Sequence, residues 1–205
     1  MSETAPPLGR RERKKRETRA AIHRAALTLF VGKGYSSTRV SDIAEAADVS
    51  EATFFRYFSS KEEVALVALM SRIDAVLDAL AARPEHELPL QACLGVMDTP
   101  DGLGLVPGQE EVLTIQLLMQ SPSLTGHFFW KVTQITDRLA AEFARRLGVA
   151  ESSMEAQLLA TAVIAVLNAV LRAWIADPAG SNPFESTRSA FLALAQGLEP
   201  TTGTS

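Results

Sequence analysis

The sequence predicts an all-α protein: a small three-helix unit near the N-terminus and a larger helical body behind it. Three observations predict this. Between Arg19 and Leu66, short apolar patterns of helical period follow one another with almost no spacer. Beyond Lys61 the apolar residues keep that period, and no alternating strand pattern is convincing. Gly and Pro residues interrupt the pattern where helices are expected to stop or start.

Residues 1–9, with Pro6, Pro7 and Gly9, read as a disordered leader. The run Arg10-Arg11-Glu12-Arg13-Lys14-Lys15-Arg16 continues it, so residues 1–16 are expected to form a flexible basic arm. A first helix is expected from Glu17 to Val31, where Ile22, Ala26, Leu29 and Phe30 share one face. Gly34 suits a backbone position of positive φ just beyond its end. Thr38 offers a hydroxyl cap to a second helix that holds Val40, Ile43, Ala44 and Ala47 inward. At Asp48 the chain must turn sharply, and Asp tolerates left-handed φ better than most residues. Ser50 caps a third helix, Glu51 to Phe58, about two turns long, whose Phe54 and Phe58 face inward with Val49. Residues 17–62 are thus expected to form one domain.

Ser59 or Ser60 caps a fourth helix, Lys61 to Ala82, which is expected to join the small unit to the body. Pro84 to Pro89 breaks the pattern, and a short helix follows from Leu90 to Met97. The stretch from Asp98 to Gly108, rich in Gly and Pro, reads as the most flexible internal loop and a rim for a ligand entrance. Helices are expected over Glu110 to Gln120 and then to Leu147, the second capped by Ser121-Pro122 and stopped by Gly148. The last two, about Ser153 to Ala176 and Asn182 to Leu198, include one that is apolar on nearly every side. A single core cannot absorb such a helix, so one face is expected to pack on a partner. The body is taken as residues 63–200 and the tail, 201–205, as disordered.

The joint Ala47-Asp48-Val49-Ser50 between two short helices has the layout of a helix-turn-helix, a module that lays its second helix in the DNA major groove. Small three-helix units with a buried Phe pair also occur without DNA. Charge favours the DNA reading. Residues 1–63 hold 12 Lys/Arg and 9 Asp/Glu, a net of +3, whereas the remainder holds 8 and 15, a net of −7. The basic arm would then track phosphates or enter the minor groove, although a merely solvated tail has the same composition.

The residues carry a resemblance beyond spacing. Ala25-Ala26, Leu29-Phe30, Gly34-Tyr35, Thr38, Val40, Ile43-Ala44, Ala47, Val49-Ser50, Thr53-Phe54, Tyr57-Phe58 and Ser60-Lys61-Glu62 closely resemble the TetR (AcrR-like) family of bacterial transcriptional regulators. The resemblance covers roughly the first third of the chain. It implies an all-helical homodimer, an N-terminal DNA-binding domain, and a C-terminal domain that binds a small-molecule effector and pairs its last two helices with those of a second subunit. The expected partners are therefore double-stranded DNA carrying an inverted-repeat operator, and an effector.

By motif match, Thr38 and Lys61 are expected phosphate contacts, and Ser50, Thr53 and Tyr57 match positions that touch backbone or bases. Ala52 is small enough for close approach to base edges. Arg39 and Arg56 are this chain's own long donors, and Arg39 has the chemistry to pair with guanine. Phe55 stands where the family often has tyrosine; it loses a phosphate bond and has a ring suited to a thymine methyl. At Glu51, neutral or basic residues are common in the family. Its carboxylate reads either as an acceptor from cytosine N4 or as a helix N-terminal acid that favours the macrodipole, and both readings stay open.

Candidate effector contacts are Met97, Leu113, Leu117, Phe128, Phe129, Trp130 and Trp174, with Gln116, His127, Gln134, Asn168 and Arg172 as polar members. Asn168 and Arg172, four apart on an apolar helix, have an equal claim to satisfying each other or a dimer mate. The composition suggests a lipophilic effector. The expected activity is a repressor released from its operator by that ligand; the alternative is a constitutive dimeric regulator or activator.

Catalysis is not expected. His23, His86 and His127 are scattered without ligand spacing, and no Gly-rich phosphate loop or nucleophile–base set is present, so no metal or cofactor is expected. No secretory signal is visible, and no run reaches about 18 uninterrupted apolar residues, since Leu158 to Ile175 contains Thr161, Asn168 and Arg172. A cytoplasmic protein without membrane contact is expected. Cys93, alone, reads as a quiet core position.

Overall fold

A computed structural model describes residues 9–99, 108–177, 180 and 182–197. Among the described residues the chain is helical with no strand. The helices are α1 (Arg10–Lys33), α2 (Val40–Ala46), α3 (Glu51–Tyr57), α4 (Lys61–Ala81), α5 (Pro89–Met97), α6 (Gln109–Gln120), α7 (Pro122–Leu147), α8 (Met154–Ala176) and α9 (Pro183–Gln196). The expected leader (1–8), most of the expected loop rim (100–107) and the tail lie outside the described residues.

Local chemistry sets the ends. Ser60 Oγ accepts from the Glu63 amide at 3.2 Å and starts α4. Pro89 and Pro183 occupy first-turn positions, where a missing N–H costs nothing. Asn182 Oδ1 accepts from the amides of Phe184 and Glu185. Gly148, at φ 68°, closes α7 where a side chain would be strained.

The flexible arm requires correction. Arg10–Arg16 form the first two turns of α1, which begins seven residues earlier than expected. Arg, Lys and Glu are good helix formers, and Lys15–Glu12 and Arg13–Glu17 pairs lie at helical spacing. All six cations of the run are exposed.

The chain divides into two compact units. One joins the chain up to Met70 with Gln109–Phe128; the other joins Ser71–Gly108 with the chain from Phe129 onward. The expected boundary at residue 62 therefore falls short: the first half of α4 and all of α6 belong with the small helices. The core of the first unit brings together Ile22, Ala26 and Phe30 of α1, Ile43 of α2, Phe54, Phe58, Val64 and Leu66, with Leu117 and Leu124 from α6 and α7. The Thr114 hydroxyl of α6 is fully buried and donates to the Ala65 carbonyl at 3.0 Å, fixing α6 to α4.

The second unit is built around Leu80, Cys93, Val96 and Met97, packed with Leu139 and Phe143 of α7, Ala156, Ala160 and Val163 of α8, and Phe191 of α9. Cys93 is buried there, its thiol pushed up to about 12 by desolvation, as a quiet core position requires. By length and composition α8 is apolar enough to cross a bilayer, even with Asn168 and Arg172 in it. It packs along α9 on one side and exposes Met154 and Leu158 on another.

Candidate nucleic-acid interface

The interface starts with α2 and the turn that follows it. Asp42, in the first turn of α2, accepts from the Arg39 amide at 2.8 Å and from Lys33 Nζ at 2.6 Å. The Lys33 hydrogen bond holds its carboxyl below the usual carboxylate range. Ile43 and Ala44 bury the inner face of α2, and the Val49 amide closes the turn on the Ala44 carbonyl at 2.9 Å. Asp48 sits at φ 53°, the left-handed conformation expected for it. Ser50 Oγ then accepts from the Thr53 amide at 3.1 Å and meets Thr53 Oγ1 at 3.0 Å, so α3 starts on its expected cap.

Seven residues make α3, and their packing sorts them by face. Phe54 and, just past the helix, Phe58 are fully buried; Thr53 and Tyr57 are half-buried flanks. Glu51, Ala52, Phe55 and Arg56 are exposed, which places an acid, a methyl group, an aromatic ring and a cation on one solvent face. The Arg56 guanidinium lies over the Tyr57 ring, 5.3 Å from its centroid. Arg39, at the start of α2, is also exposed. A two-turn helix with this outward surface has the dimensions and chemistry to contact base edges in a major groove.

Two expected phosphate contacts have other work. Thr38 is 1% exposed, and its hydroxyl donates to the Gly34 carbonyl at 2.8 Å rather than capping α2. The chain before α2 folds back on the end of α1, so a carbonyl, not the α2 amides, is nearest. Lys61 Nζ donates to the carbonyls of Tyr35 and Thr38, each at 3.1 Å, and lies 4.5 Å from the Tyr35 ring centroid. Beside it the Tyr35 hydroxyl donates to Glu62 Oε1 at 2.7 Å; burial and that carboxylate push the phenol far above its ordinary range. These groups hold the 35–38 turn from behind. Tyr35 and Glu62 were part of the motif, but their bond was not legible from it; Asp42 is a further organising residue, signalled only by an acid in the first turn of a helix.

The effector candidates are divided between the units. Leu113, Gln116, Leu117, His127 and Phe128 belong to the first; Met97, Phe129, Trp130, Gln134, Asn168, Arg172 and Trp174 belong to the second. Leu117 and Met97 are buried, each in its own unit's core, while Gln116, Phe129, Trp130, Gln134 and Arg172 are exposed. Asn168 Nδ2 donates to the Ile164 carbonyl of its own helix at 3.0 Å.

Residues 22–68 match the family of bacterial regulatory proteins named tetR, and residues 109–199 match the MftR C-terminal domain. TcmR, an HTH-type transcriptional regulator of Streptomyces glaucescens, is 37% identical over 173 residues, covering 81% of this chain and 76% of TcmR. MftR of Mycobacterium tuberculosis is 24% identical over 197 residues, covering 95% of this chain and 98% of its own. Among solved structures, a SmeT–triclosan complex shares the fold with TM-score 0.63 at 19% identity, over 92% of this chain and 98% of SmeT.

Proposed function

Since this chain belongs to the TetR family and is a DNA-binding transcriptional regulator rather than an enzyme, we propose that it is a repressor released from an inverted-repeat operator by a lipophilic small molecule. The observation that carries the DNA half is the solvent face of α3, with Glu51, Ala52, Phe55 and Arg56 exposed above a fully packed Phe54 and Phe58, together with the exposed Arg39 at the start of α2. Ser50, Thr53 and Tyr57 flank that face. Lys61 and Thr38 act from behind it, holding the preceding turn.

Pairing is supported by α8 and α9. Met154 is 71% exposed, Leu158 61% and Leu192 43%, and the exposed positions Ala165, Ala169 and Ala173 are small enough for close helix approach. A second copy covering this surface makes a two-fold dimer, and two copies of α3 then require an operator of two inverted half-sites.

Effector binding is assigned to the second unit, with Met97, Asn168 and Trp174 as contacts. Its apolar core and the shared fold of a protein solved with triclosan support a lipophilic ligand. The ligand acts by favouring a state of the dimer whose two α3 helices are spaced wrongly for DNA. Helix α4 carries the shift, because it begins beside α3 and continues into the second unit. A protein that meets DNA in this way works in the bacterial cytoplasm.

Fluorescence anisotropy on DNA from upstream of its own gene, at fixed salt with unrelated DNA as competitor, tests the proposal. Specific binding reversed by one member of a panel of lipophilic compounds is the expected result. Specific binding that no compound disturbs would favour a constitutive regulator.

A further inference from the structure

Phe55 is the one large apolar side chain on the outward face of α3, and it is 53% exposed. A ring this exposed adds little to the core and leaves most of its apolar surface available to a partner. The ring has one packing partner. It stands edge-on to the buried Phe54, with centroids 5.3 Å apart and planes at 86°, a favourable and orienting arrangement. Phe54 is itself fixed by Phe58 at 6.0 Å within the core of the first unit. The neighbours on the same face are Ala52, three residues earlier, and Glu51, four earlier; the Arg56 guanidinium lies over the Tyr57 ring. Phe55 and Ala52 together therefore present an apolar, braced surface in the middle of a helix otherwise flanked by charge.

Only one feature of the major groove is apolar: the 5-methyl group of thymine. We infer that Phe55, backed by Phe54 and widened by Ala52, is a specificity-determining residue that reads the 5-methyl of a pyrimidine in each operator half-site. Phe55 offers no hydrogen bond, so it distinguishes thymine from cytosine by shape and hydration alone. Cytosine methylated at carbon 5 carries the same group at the same place and satisfies the same contact. The inference rests on the proposed reading of DNA by α3.

The test begins by selecting a binding sequence from random duplex DNA with the full-length protein. Each thymine is then replaced singly by deoxyuridine, which removes the methyl and nothing else. Burial of one methyl predicts about a fourfold loss of affinity at one symmetric pair of positions. Phe55→Ala should bind thymine and deoxyuridine at that pair equally, and Phe55→Leu should keep part of the difference; at 53% exposure neither change removes core. Placing 5-methylcytosine at that pair should recover affinity relative to cytosine. If no thymine is sensitive, or if Phe55→Ala stays equally sensitive, the inference falls while DNA recognition stands. If random DNA yields no enriched sequence, the proposed function and this inference fall together.

Discussion

The guanidinium of Arg146 donates to the carbonyl of Leu80 at 2.7 Å, tying α7 to the last turn of α4. The Arg146 side chain is entirely buried, yet none of its charge is stranded. It also donates to the Pro84 carbonyl at 2.8 Å and to those of Arg83 and Glu87 at 3.3 Å, and Glu142 Oε1 lies 2.7 Å from its Nε. One planar donor thus reaches the Leu80 carbonyl in the last turn of α4 and three carbonyls, of Arg83, Pro84 and Glu87, in the segment that follows it.

Removing that donor takes out a fully buried guanidinium together with its hydrogen bonds to four carbonyls and its ion pair with Glu142. Arg146→Met should lower unfolding free energy by about 3 kcal/mol, read by urea denaturation. Arg146→Lys should recover only part of this, because a point charge cannot span the same carbonyls. A loss within about 0.5 kcal/mol for Arg146→Met would mean the interaction is not structural.

Lys61 separates two roles through salt. As a clamp on the Tyr35 and Thr38 carbonyls, its loss in Lys61→Gln should cost about 1–2 kcal/mol of stability. The slope of log affinity against log salt should change by well under one unit. A phosphate contact would reverse the pattern, with the slope falling by about one and stability unchanged.

Glu51→Ala tests selectivity. If the carboxylate accepts from a cytosine, the variant should lose about 5- to 100-fold of discrimination at a single base pair of each half-site. Equally tighter binding to every operator variant would leave Glu51 with only its helix-terminal role.

His23 gives the first unit a pH dependence. Its ring is buried against α6; desolvation lowers its pKa below 6.5, Glu110 opposes that, and Arg19 and Arg24 add to it. The folded form therefore takes up a proton less readily than the unfolded chain. Stability is complete above about pH 6.5 and is lost as pH falls below that value toward the folded pKa. His23→Gln should flatten this part of a stability–pH curve measured by thermal melting; an unchanged slope would assign the dependence elsewhere.

Cys93, buried with its thiol at about 12, should resist an aromatic disulfide reagent in the native protein and react at once in denaturant. Rapid native labelling would show that α5 opens readily.

The features legible in the sequence are those decided by residues close together in the chain. The Ser50 cap, the left-handed Asp48, the Phe54–Phe58 pair and the stop at Gly148 all depend on chemistry within a few residues. The bonds of the Thr38 hydroxyl and the Lys61 ammonium are not legible in the sequence, because their partners, the Gly34, Tyr35 and Thr38 carbonyls, become near only when α1, α2 and α4 pack. Arg10–Arg16 have the composition of a coil and the propensity of a helix, and α1 extends through them. Arg146 did leave a trace: it falls on the apolar stripe of Leu139 and Phe143, where an arginine demands a partner.

The wound start of α1 bears on how this chain tolerates change. Successive residues of a helix turn by about 100°, so Arg10, Arg11, Arg13, Lys14, Lys15 and Arg16 distribute around the whole cylinder rather than along one side. Whichever side is turned toward a polyanion, some cation faces it. No individual position is then indispensable: single neutral replacements should leave affinity nearly level, and the decline should set in only when several are combined. Such redundancy lets these six positions drift in sequence while their collective charge endures.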